Sequence, residues 1–92
     1  MSAITIDCSE VKSEADFWQA YVESCRPQGA DAFGRNLDAF WDAVSAGGPG
    51  FPLFAELRFV NVEALKVFRD GAFYEALLRI AHESKDIRVS FG

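Results

Sequence analysis

Histidine occurs once in these 92 residues and cysteine only twice. His82, Cys8 and Cys25 are far apart in the chain, and no Cys-x-x-Cys pair occurs. A structural zinc site needs four such ligands at close spacing, so no metal site and no cofactor are expected. Basic residues are also scarce, nine against fourteen acidic ones, for a net charge of -5. Direct nucleic-acid binding rests on a basic footprint, and its absence here favours a basic protein as partner. No run of 18 apolar residues exists, and no basic leader precedes an apolar stretch. Neither a membrane span nor a secretory segment is therefore expected, which points to the cytoplasm and to two reduced thiols, a Cys8–Cys25 disulfide being the alternative.

What the chain does have is apolar material. Half of it is hydrophobic, with nine Phe, two Trp and two Tyr, enough for one self-sufficient core over residues 1–92 and not for two. Ile4-Thr5-Ile6 is a β-branched run ending at Asp7, and it reads as a first strand over Ala3 to Asp7. Ser13 and Asp16 have the spacing of a capping box. Phe17, Trp18, Tyr21, Val22 and Cys25 then form a helical stripe that stops before Pro27. Alternation from Pro52 to Arg58 predicts a second strand, and Asn61 is placed to cap a short helix from Val62 to Phe68. Asp70 is placed to cap another helix, from about Gly71 to Glu83, with Phe73, Ala76, Leu77, Ile80 and Ala81 inward. Ile87, Val89 and Phe91 alternate with polar residues in a last strand. Helical crossovers of this length suit parallel strands. The expected fold is an α/β domain of order βααβααβ, a three-stranded parallel sheet packed with about four helices.

Between the first helix and the second strand lies Phe33-Gly-Arg-Asn-Leu-Asp-Ala-Phe-Trp-Asp-Ala-Val44. Asn36 is a favourable N-cap, and Asp38 falls in the first turn, where the helix dipole favours negative charge. Leu37, Phe40, Trp41 and Val44 recur at i, i+3, i+4 and i+7, an inward stripe with Trp41 at its edge. Asp38 and Asp42 are neighbours on the other side, a spacing at which like charges destabilise a helix by a few tenths of a kcal/mol. With Ala39 and Ala43 expected beside them, they form a low acidic ledge. Ser45-Ala-Gly-Gly-Pro-Gly ends this helix. A solvated surface with no partner has the same pattern. A catalytic carboxylate pair is the less favoured reading, because nothing signals a cleft that would raise one pKa. His82, near a helix C-terminus, reads as structural, and no enzyme activity is expected.

The same twelve residues resemble the hallmark segment of the barstar family, intracellular ribonuclease inhibitors, with Gly34, Asn36, Leu37, Asp38, Ala39, Trp41, Asp42 and Ala43 in register. The resemblance implies the same architecture and the inhibition of a basic extracellular-type ribonuclease or nuclease toxin. It implies that Asp42 enters the active site and that Asp38 pairs with its rim. Gly34, Asn36 and Ala39 would be shape-fitting neighbours, Phe33 and Trp41 part of the contact surface, and Glu83 a supporting carboxylate. Arg35 stands where the family has an acidic residue, Ala32 replaces one of two leading aromatics, and Gly47-Gly48 replaces a tryptophan. A module that binds another basic protein without inhibiting a nuclease is the alternative.

Overall fold

In a computed structural model that describes residues 2–92, the inward alternation of three short segments builds one parallel sheet. Strands β1 (Ala3–Asp7), β2 (Glu56–Val60) and β3 (Arg88–Phe91) lie in the order β1-β2-β3. Ile4, Leu57 and Val89 share one row of the register, and Ile6, Phe59 and Phe91 another. These rows face the helices, whereas Ala3, Thr5, Asp7, Arg58, Arg88 and Ser90 are exposed on the opposite face. Parallel sheets are ordinarily covered on both sides and read as continuous apolar runs. Here the strands alternate because only one face is covered.

Helices α1 (Glu14–Cys25), α2 (Leu37–Ala46) and α3 (Ala72–Glu83) make that cover. In α1 the Ser13 hydroxyl accepts from the Asp16 N–H at 3.2 Å, and the Asp16 carboxylate accepts from the Lys12 N–H at 3.0 Å. This is a capping box whose returning bond lands one residue early. Phe17, Trp18, Tyr21 and Cys25 are buried, as are Phe73, Leu77 and Ile80 of α3. Both free thiols are buried, and desolvation lifts Cys8 to about 11 and Cys25 to about 12, so both stay protonated at neutral pH.

Four expectations need correction. The second strand begins at Glu56, not Pro52, and extends to Val60. Strand pairing needs a partner, and β1 offers one only from Ala3, opposite Glu56, to Asp7, opposite Val60. The short helix expected from Val62 to Phe68 is a 3₁₀ segment, Glu63–Gly71, interrupted at Phe68, Arg69 and Asp70. So few residues, with only Leu65 buried, do not repay α-helix nucleation. Asn61 does not cap it: its backbone is left-handed at φ 57° and its side chain donates to Asp7 Oδ1 at 2.9 Å. That bond, together with the Ser9 N–H, holds the Asp7 carboxyl below its ordinary range. Asp70 does not cap α3 either, because it too is left-handed and Gly71 occupies the N-cap.

Aromatic rings join the layers. Phe17 stacks on Phe59 of β2 at 5.3 Å between centroids and meets Phe73 of α3 edge-on at 5.5 Å. Phe40, the one fully buried ring of α2, reaches Trp18 at 5.6 Å, Tyr21 at 5.4 Å and Phe59 at 6.3 Å. Replacing such a side chain by Ala costs ~3–5 kcal/mol. Phe40→Ala is expected to lower the free energy of unfolding by that amount in a urea titration, a large share of the ~5–14 kcal/mol usual at this length. A loss below ~1 kcal/mol would mean that α2 is not anchored through this ring.

Candidate functional site

Helix α2 is held at both ends by loops that are themselves tied together. Ahead of it, Phe33 is 5% exposed and packs against Trp18 and Tyr21 at 5.9 and 5.6 Å. Behind it, Gly50 lies flat on the Phe33 ring with φ 92°, and a Cβ there would overlap the ring. The Tyr21 hydroxyl donates to the Gly50 carbonyl at 2.8 Å. Burial, and secondarily Cys25, pushes this phenol far above its ordinary range, so it remains a neutral donor. The Gly50 N–H donates to the Gln28 carbonyl at 2.7 Å and the Gln28 N–H to the Phe51 carbonyl at 3.1 Å, closing an antiparallel bridge across the two loops.

The helix ends are capped within this clamp. The Asn36 Oδ1 accepts from the Ala39 N–H at 2.7 Å, and its Nδ2 donates to the Gly34 carbonyl at 3.2 Å. A Cβ on Gly34 would crowd both Ala39 and Asn36, at 3.2 Å each. Gly47, left-handed at φ 73°, closes the C-terminus through the Asp42 carbonyl, which also accepts from the Gly48 N–H at 3.1 Å. These bonds satisfy helix-end groups that would otherwise be orphaned.

On the outward side Asp38 is exposed and Asp42 half-buried, and among the described residues neither forms an ion pair. The Asp42 carboxylate folds over Gly48 so closely that a Cβ on that glycine would overlap it. Trp41 is 43% exposed, and its indole N–H donates to Glu83 Oε1 at 2.9 Å. Glu83 at the end of α3 is thereby tied to α2 through Trp41. Ala39 is half-buried, but Ala43, expected beside the ledge, is fully buried, turned inward beside Phe40 and Val44 on the core side of α2. The ledge is narrower than the spacing predicts.

Phe33 is not on the surface with the others; its ring is the anchor of the preceding loop. Two features escape sequence reasoning. The fit between Gly48 and Asp42 leaves no signal beyond a glycine pair that also ends a helix. Arg35, left-handed at φ 53°, donates from Nη1 to Gln19 Oε1 at 2.7 Å, a contact across sixteen residues.

Two recesses stand out on the surface of the described residues. One, about 580 Å³, lies at the amino ends of the strands against Arg58, Lys85 and Arg88; the other, about 240 Å³, is lined by Glu14, Ala15, Trp18, Arg35, Asn36 and Arg69. Asp38 and Asp42 line neither. A carboxylate pair needs a dry enclosure to split into acid and base, and these two face outward. His82 is exposed near the end of α3, and among the described residues no group of three or more potential metal ligands is found. No helix among the described residues is long and apolar enough to cross a membrane.

A search of curated proteins finds no match to this sequence. The family model described as Barstar (barnase inhibitor) matches residues 1–90. With that match covering nearly its whole length, the chain belongs to the barstar family.

Proposed function

We propose that this chain is a cytoplasmic inhibitor, an immunity protein, of a basic barnase-like ribonuclease, and that it acts by laying α2 across the active-site cleft. The observation that carries the reading is a pair of carboxylates, Asp38 and Asp42, left without an ion-pair partner among the described residues on a helix whose two ends are fixed. A fold gains nothing from like charges at this spacing. A ribonuclease cleft is basic because it holds a phosphodiester, and a carboxylate can stand there in place of the phosphate. Asp42 enters the cleft, Asp38 meets its rim, and Trp41 with Glu83 forms the flank. Asn36, Gly34 and Ala39 keep the approach low, while Phe33 fixes the loop from within. The buried free thiols suit a reducing compartment.

This arrangement separates binding from stability at Asp42. Asp42→Ala removes a like-charge neighbour and is expected to leave the melting temperature unchanged or slightly raised. In the complex it would strand buried cations of the enzyme, a loss of ~3–5 kcal/mol, or roughly a hundredfold or more in the inhibition constant. Titrating RNA cleavage by barnase and a panel of barnase-like ribonucleases with parent and variant reads both numbers. Equal inhibition by the two proteins would shift the reading to a module that binds some other basic protein.

Gly48→Ala tests how the carboxylate is aimed. The backbone of Gly48 is not left-handed, and the atom its Cβ would meet is the mobile end of a side chain, so the fold can absorb the change. Asp42 must then swing away, and restoring its direction on binding costs ~0.5–1.5 kcal/mol. Inhibition should weaken about three- to tenfold with a near-parental melting temperature. An unchanged inhibition constant would show that the aim of Asp42 does not matter.

Charge also governs approach. Net charge -5 against a basic cleft steers encounter, so the association rate should fall steeply between low and physiological salt while dissociation changes little. Stopped-flow mixing across a salt series measures this, and a flat association rate would refute it.

A further inference from the structure

We infer that Arg35 is a specificity residue, which takes a carboxylate on the rim of the partner nuclease and so sets which nuclease this chain accepts; the inference rests on the inhibitor reading above. Phe33 is locked between Trp18 and Tyr21, and Asn36 is locked by its two hydrogen bonds, so the residues between them have little freedom. Arg35 is held there in a left-handed conformation, at φ 53°, that a non-glycine residue adopts only against steric resistance. Strain of this kind persists only where the surroundings impose it.

The electrostatics of the adjoining recess then single this residue out. Of its two arginines, Arg69 is neutralised by Glu14 through paired bonds, Nε to Oε2 and Nη2 to Oε1, both 2.6 Å. Arg35 is exposed, and its side-chain bond among the described residues goes to the neutral Gln19 oxygen. A guanidinium has five N–H donors in a fixed fork suited to a carboxylate, and most of this fork stays open. One end of the binding face therefore carries an uncompensated cation, and the helix that follows carries Asp38 and Asp42. Two aspartates alone can settle on a basic cleft in several registers. A cation of opposite sign at one end rejects those that set it against basic residues and favours the one that meets an acid.

The probe is barnase and a set of its variants, each with one residue on the rim of the active-site cleft replaced by Glu, measured against the parent chain, Arg35→Gln, Arg35→Glu and Asp42→Ala. At one rim position the added Glu should tighten binding of the parent about tenfold, the gain vanishing with Arg35→Gln and turning into a loss with Arg35→Glu. Arg35→Gln keeps a polar side chain of moderate length, and its melting temperature, read alongside, should match the parent's. If Asp42→Ala binds weakly everywhere but no rim Glu distinguishes the parent from Arg35→Gln, the inference is overturned and the inhibitor reading stands. A parent chain that binds no member of the set overturns both.

Discussion

Every part of the candidate site hangs on the burial of one ring. Phe40 is the fully enclosed side chain by which α2 touches Trp18 and Tyr21 of α1 and Phe59 of β2. Isolated, a ten-residue helix with two like charges on one side would not hold together in water. Its helicity comes from tertiary packing, and so does the freedom to place acids on its outer side. Phe33 and Gly50 extend the same constraint into the flanking loops, and the Gln28–Phe51 bridge joins those loops to each other. The result is a short helix fixed from below and at both ends.

Such a support matters for recognition because ordering a binding segment at the moment of contact subtracts from affinity. Here the ordering is done during folding. Even the exposed Trp41 is oriented in advance by Glu83. The surface is not uniformly acidic, however. Arg35 interrupts it at the amino end, and Arg69 behind it is silenced by Glu14. Sign and position alternate along a path only a few residues long.

Much of this was legible in the residues. The Asn36 cap, the Phe40 and Val44 stripe, the edge position of Trp41 and the three parallel strands follow from local periodicity and capping chemistry, which act over a few residues. Several of the failures trace to a partner distant in sequence. Pro52 to Ala55 alternates like a strand but has no partner until Ala3 comes opposite Glu56. Asn61 has the chemistry of a cap, yet Asp7, fifty-four positions away, takes its side chain. Phe33 sits in a motif of surface residues and is drawn inside by two rings of α1.

The order of the strands bears on when the acidic face comes into being. Ala3 must find Glu56, and the indole of Trp41 must find Glu83, forty-two residues on. Long loops of this kind close late in folding, and a chain emerging from the ribosome cannot close them before the later residues exist. Until α3 and the Ser84 that follows it have been synthesised, α2 lacks the carboxylate that orients Trp41 and the hydroxyl that donates to the Val44 carbonyl. A partly made chain thus has the aspartates but not the surface.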